Sequence, residues 1–135
     1  MSPFFDTNVL VYAFLDVEKR ERALEILAEG GVISAQVLNE FTHVAHKKRR
    51  RSWPDIEAAL GVIRDWFRDI VPITSGTHAG AVTLARDHGL AFYDALILAA
   101  AIEAGCETLY SEDFQHGRRF GDLTIVNPFL GGAGG

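Results

Sequence analysis

The alternation of very short apolar runs with longer stretches of helical period constrains this chain most. Pro3-Phe4-Phe5, Val32-Ile33, Ile70 to Ile73, Thr108-Leu109-Tyr110 and Leu123 to Val126 are strand-sized. Between them, apolar residues recur at three- and four-residue spacing. Strands that alternate with helices build βαβ units, so the pattern predicts an α/β fold with a mainly parallel sheet. No internal repeat or linker interrupts it. Residues 1–130 read as one domain, and Gly131 to Gly135 as a flexible, glycine-rich tail.

The first strand ends at Asp6, and Thr7 or Asn8 is expected to cap a helix carrying Val9, Leu10, Tyr12, Ala13 and Phe14. Ala23, Leu24, Ile26 and Leu27 share the inward face of a second helix, which Gly30-Gly31 ends. Ser34 caps a third helix from Ala35, with Val37, Leu38, Phe41 and Val44 inward. Trp53-Pro54 starts the next, with Pro54 in its first turn and Ile56, Leu60, Ile63 and Phe67 as its stripe. Pro72 favours a sheet edge or a strand end. His78 to His88 reads as a helix stopped by Gly89. Tyr93 to Ala104 reads as a strongly apolar, central helix.

Four acids stand out against this frame. In open parallel sheets the C-terminal strand ends share one edge, where ligands bind. Asp6 follows one strand, Asp113 follows another, and Asp94 starts a helix, so these three are placed to meet. Glu40 lies inside the third helix beside Leu38 and Phe41, where an unpaired charge is unfavourable. Crowded carboxylates repel, and one takes up a proton unless a cation is present. Mg²⁺ or Mn²⁺ favours oxygen ligands, lowers the pKa of bound water and neutralises phosphoryl charge. Such a donor set suits phosphodiester hydrolysis. Taken singly, Asp6 and Asp94 are equally ordinary helix caps, Glu40 a solvated helix residue and Asp113 a turn residue. The joint pattern carries the functional reading.

Other chemistries fit less well. Phosphatases of the haloacid dehalogenase kind need a second Asp two residues after the first, where this chain has Asn8. No glycine-rich phosphate loop and no Cys/His zinc pattern occurs. His43 and His46 are read as solvated or RNA-facing, and His116 receives no catalytic role. Trp53, Trp66, Phe41, Phe67 and Tyr12 have spacings that suit core or dimer contacts better than base stacking.

The net charge of −5 counts against nucleic acid. The run Lys47-Lys48-Arg49-Arg50-Arg51 counts for it. A helix end explains one or two of those charges, and five in succession suggest phosphate contact. Arg118 and Arg119 follow Asp113 and add to that candidate RNA surface. An acidic protein segment fits the same surface. The chain has one cysteine, Cys106, which excludes an internal disulfide and fits a reducing cytoplasm. Met1 to Phe5 has no secretory pattern, and the longest apolar run, Ala95 to Ile102, is too short to span a bilayer.

Four segments together resemble a known family. Phe4-Phe5-Asp6-Thr7-Asn8-Val9-Leu10, Ser34 to Phe41, Tyr93-Asp94-Ala95-Leu96-Ile97 and Leu109-Tyr110-Ser111-Glu112-Asp113-Phe114 are similar to the four motifs of the PIN domain, in order, from Pro3 to about Phe129. At this length the chain looks most like the toxin of a VapBC type II toxin–antitoxin pair. The resemblance implies a three-layer α/β/α sandwich around a mainly parallel sheet. It implies an Mg²⁺- or Mn²⁺-dependent endoribonuclease, inhibited by a cognate VapB-type antitoxin. Its RNA substrate would be tRNA or ribosomal RNA, and its products would carry 5′-phosphate and 3′-hydroxyl ends. It implies a homodimer. By the same resemblance Asp6, Glu40, Asp94 and Asp113 are the catalytic, metal-binding acids. Thr7, Asn8 and Ser111 are supporting polar residues. Glu112, an extra acid beside Asp113, has two open placements, facing the site or in solvent on the opposite side of the chain, and solvent is the favoured one. A different class of reading remains: a catalytically silent PIN-like module that binds RNA or protein.

Overall fold

A computed structural model describes residues 2–130. The expected tail, Gly131 to Gly135, lies outside the described residues. Six α-helices surround short strands. The first strand, β1 (Phe4–Phe5), pairs in parallel with β4 (Thr108–Tyr110), and β4 pairs in parallel with β6 (Leu123–Val126). The strands β2 (Ile33–Ser34) and β3 (Ile70–Val71) pair in parallel beside them. A parallel bridge between Phe4 and Val32 joins the two groups, with Phe5 donating its N–H to Val32 O at 3.0 Å. The spatial order is therefore β3-β2-β1-β4-β6-β5. The expected α/β class and the mainly parallel sheet are both present.

Sequence explains most of these elements. Phe4 and Phe5 are fully buried, as a strand covered on both faces requires. Burying such a ring stabilises the fold by about 1.5–3 kcal/mol. Gly31 permits the close approach of the loop to β1. A Cβ there would stand 2.4 Å from the Phe5 ring and 2.5 Å from Pro3 O. The central helix α6 (Phe92–Glu103) is buried from Ala95 to Ala101, which explains its unbroken apolar composition. Pro72 directly follows β3, at the sheet edge.

Several details differ from expectation. In α2 (Arg20–Leu27), Ala23, Ile26 and Leu27 are buried but Leu24 is exposed, because the helix buries a narrow stripe. Helix α5 (Ser75–His88) starts three residues earlier than expected. Thr74 and Thr77 form a capping box that overrides the glycine at 76. The strand β5 (Arg119–Phe120) was not foreseen and forms an antiparallel hairpin with β6. The third helix, α3 (Ala35–His43), passes into a π-helical turn, Val44–Lys48, which ends before α4 (Trp53–Trp66).

Candidate active site

The strand order reverses between β1 and β4, and such a reversal opens a crevice at the C-terminal strand ends. Asp6 leaves β1 there as the N-cap of α1 (Thr7–Leu15), its Oδ1 accepting the Thr7 N–H at 2.7 Å. The expected cap at Thr7 or Asn8 thus falls one residue earlier, since Thr7 is already helical. Ser111 follows β4. It donates its hydroxyl to Asp6 Oδ2 at 2.6 Å and accepts the Asp113 N–H at 3.0 Å. Asp6 is only 1% exposed and Ser111 fully buried, so the two motifs are locked together in the interior.

Glu40 joins from α3. Thr7 Oγ1 donates to its Oε1 at 2.8 Å, and Gln36 Nε2 to its Oε2 at 3.1 Å. Gln36 was not among the expected site residues. Its spacing four residues before Glu40 places both on one helix face, a pattern that a solvated glutamine shares. Asn8 Nδ2 donates to Asp113 Oδ2 at 3.2 Å, while the buried Asn8 Oδ1 has no partner among the described residues. Thr7, Asn8 and Ser111 therefore each bond to an acid. Asp94 stands in the first turn of α6, half-buried, after an N-cap, Ala91, that makes no side-chain cap bond.

The four acids share one electrostatic neighbourhood. Burial first, and then Asp113 and Glu40, push the Asp6 carboxyl up to about 8, against the bonds from Ser111 and Thr7. Burial, then Asp113 and Glu40, raise Asp94 to about 6. Without a cation such a cluster holds extra protons at neutral pH. The all-oxygen donors, their mutual repulsion and the orphaned Asn8 acceptor fit a hard divalent ion that keeps its waters. Among the described residues, no three acidic, histidine or cysteine side chains converge into a ready-made ion cage. An open Mg²⁺ site needs only one or two carboxylates, with waters and substrate completing it.

Thr7, Asn8, Glu40 and Asp113 line a cavity of about 820 Å³. Asp6, held by the Thr7 N–H and the Ser111 hydroxyl, is not part of the lining, and neither is Asp94. Tyr93 supplies the share of α6 in the wall and is 61% exposed, although it opens a strongly apolar helix.

The basic run does not act as one surface. Lys48 and Arg49 line the cavity, whereas Lys47 and Arg50 are exposed outside it. Arg49 donates to Leu15 O at 2.9 Å and pairs with Asp16 at 3.3 Å, and Arg51 reaches Leu15 O at 3.4 Å. These two arginines satisfy a carbonyl at the end of α1. Arg118 lies over the Phe120 ring, 4.6 Å from its centre, and neither it nor Arg119 lines the cavity.

Glu112 departs from expectation. It is half-buried, accepts the Tyr12 hydroxyl and pairs with Lys19 at 3.3 Å. Lys19 Nζ also lies 4.5 Å from the centre of the Tyr12 ring. The turn after β4 leaves the extended alternation, so neighbouring residues need not point to opposite sides. His43 lines the cavity, His46 stacks on Trp53 at 4.2 Å, and His116 Nδ1 accepts the Asn127 N–H at 3.0 Å. Phe41 and Phe67 belong to the core, while Trp53 and Trp66 stay half-exposed, at 50% and 47%.

A sequence profile described as the PIN domain matches residues 4–119. Among solved structures, a toxin–antitoxin complex from Klebsiella pneumoniae is 25% identical, with a TM-score of 0.72 over 94% of this chain and 98% of that one. VapBC2 from Rickettsia felis, bound to a DNA fragment from their promoter, is 22% identical with a TM-score of 0.66, covering 93% and 97%. VapC20 from Mycobacterium tuberculosis, a sarcin–ricin loop cleaving toxin, is 20% identical with a TM-score of 0.68, covering 84% and 90%. No curated protein sequence matches.

Proposed function

The chain belongs to the PIN domain family, and from that premise we propose that it is a metal-dependent endoribonuclease acting as the toxin of a toxin–antitoxin pair. The observation that carries the reading is the junction of Asp6, Ser111 and Asp113 at the β1–β4 reversal, with Glu40 and Asp94 in electrostatic reach. Asp6, Glu40, Asp94 and Asp113 would hold Mg²⁺ or Mn²⁺. The ion would supply charge neutralisation and an acidified water at the phosphodiester.

The protein's own residues do the positioning. Ser111 and the Thr7 N–H fix both oxygens of Asp6. Thr7 and Gln36 fix both oxygens of Glu40, and Asn8 orients Asp113. The cavity falls within the roughly 300–1,000 Å³ of ordinary ligand sites. Its walls combine acids with His43, Lys48 and Tyr93, which suits an RNA strand better than a small phosphomonoester.

An antitoxin partner is supported by the Klebsiella and Rickettsia structures, both of which hold toxin with antitoxin. The homodimer draws on the half-exposed Trp66 and the exposed Val62 of α4 and Leu24 of α2. tRNA and ribosomal RNA are the target classes to test first. No helix among the described residues is long and apolar enough to cross a membrane.

The test is cleavage of a structured RNA by the purified chain with Mg²⁺, with Mn²⁺ and with EDTA. Cleavage restored by either ion and lost in folded Asp6→Asn and Asp94→Asn variants supports the proposal. Folded variants that cut as fast as the parent overturn the site. RNA binding with no cleavage at either ion favours the silent module.

A further inference from the structure

The π-helical turn Val44–Lys48 changes which basic residue the cavity receives. An α-helix advances about 100° per residue, so residues five apart stand about 140° from each other. His43 and Lys48 would then point to different sides, and Lys47 would share the face of His43. Here the Arg49 N–H bonds to Val44 O at 2.9 Å, a five-residue step that adds one residue to the turn. Lys48 comes round to the face of Glu40 and His43, and all three line the cavity, while Lys47 stays outside.

The charge of Lys48 is not consumed by the fold. Among the described residues it is in no salt bridge. Both Glu40 oxygens already accept from Thr7 and Gln36, and Asp113 accepts from Asn8. The neighbouring Arg49 is committed to Leu15 O and Asp16. A helix-end dipole favours basic residues here, but it does not require one inside the cavity. Positive charge in the same cavity as the acids suits an anion next to the reacting group. In an RNA strand that anion is the adjoining phosphodiester.

We infer that Lys48, flanked by His43, seats the RNA phosphate next to the one that is cut, and that the π turn exists in this chain to place it there. The inference rests on the ribonuclease reading for its substrate class, and the binding test below is independent of cleavage. The probe is a fluorescent single-stranded RNA oligonucleotide, read by anisotropy with Ca²⁺ in place of Mg²⁺ across a salt series.

Lys48→Ala should weaken binding about five- to tenfold and lower the slope of log affinity against log salt by about 0.7, the loss of one phosphate contact. Lys48→Arg should retain the slope. Lys47→Ala should cost less than Lys48→Ala, and Arg64→Ala, an exposed change of the same charge on α4, should cost little. If Lys48→Ala binds as the parent does, or if Lys47→Ala costs as much, the phosphate seat is wrong. Cleavage by the parent protein, run in parallel, separates the two ideas. Lys48-dependent binding without cleavage retains the seat and removes the nuclease. Cleavage with Lys48-independent binding removes the seat alone.

Discussion

Ser111 Oγ stands 2.6 Å from Asp6 Oδ2 and ties the end of β4 to the end of β1 inside the protein. The bond favours the charged form of Asp6 against its burial. Ser111→Ala removes it and leaves a buried carboxylate oxygen without that donor. Loss of a group that orients a metal-binding carboxylate costs about 10–100-fold in metal affinity. The Mg²⁺ concentration for half-maximal cleavage should rise in that range, with a stability loss of about 1–3 kcal/mol in urea. An unchanged Mg²⁺ dependence in a folded variant would show that Ser111 does not orient Asp6.

Gln36 should behave as a positioning residue for Glu40. Gln36→Ala frees one oxygen of Glu40, and Thr7→Val frees the other. Each should lower kcat several-fold with little change in KM, because neither side chain is assigned to the RNA. Gln36→Glu should be worse than Gln36→Ala, since it sets a like charge beside Glu40. A Gln36→Glu variant as active as the parent would remove Gln36 from this role.

The pattern of what was legible follows from these contacts. Asp6, Asp94 and Asp113 could be placed from sequence because each adjoins the end of a strand or the start of a helix, where topology fixes direction. Thr7, Asn8 and Ser111 came with the family resemblance, and each is found on an acid. Gln36 and Tyr93 were missed for different reasons. Gln36 had helical spacing but no reason to be preferred over a solvated glutamine, and Tyr93 read as one more apolar residue of α6. The π turn could not be foreseen, since Val44–Lys48 has ordinary helical composition and carries no local signal for a five-residue step. Strand β5 escaped because one exposed arginine followed by one buried phenylalanine is too short a run to show a period.

The raised carboxyls set a pH dependence with a definite sign. Asp6 sits near 8 in the folded protein against an ordinary 3.8, so the folded state binds its proton more tightly than the unfolded chain. Its contribution to stability is therefore largest at low pH and is lost as pH rises from about 4 to about 8. Asp94 adds the same trend up to about 6. In EDTA, the Tm difference between the parent and Asp6→Asn should move against the parent across this window. Mg²⁺ competes with the proton, so it should raise the parent Tm more at pH 8 than at pH 5. Equal Mg²⁺ gains at the two pH values would contradict the assignment.

Arg49 and Lys48 are adjacent in sequence yet should fail in different assays. Arg49 closes the end of α1 through Leu15 O at 2.9 Å and Asp16 at 3.3 Å. The pair is solvent-exposed, so screening leaves the ion pair little weight, and the carbonyl bond carries most of the effect. Arg49→Ala should lower the urea midpoint accordingly, and lysine should not restore it, because one ammonium cannot reach both partners with a planar fork. Lys48→Ala should leave the midpoint where it was. A Lys48→Ala variant as destabilised as Arg49→Ala would mean that the whole run serves the fold.

Tyr93 offers the clearest separation of binding from stability. It precedes Asp94 on α6, lines the cavity and is 61% exposed, so its ring does little for the core. An exposed ring beside acids and a basic side chain is placed to stack a base of a single-stranded segment. Stacking of this kind contributes about 1–3 kcal/mol per base. Tyr93→Ala should raise KM for RNA about five- to hundredfold with Tm unchanged, while Tyr93→Phe, which keeps the ring, should stay close to the parent. If phenylalanine loses as much as alanine, the hydroxyl is the contact and the stack is wrong. If alanine leaves KM unchanged, the ring lies off the path of the strand, and base recognition must come from another wall of the cavity.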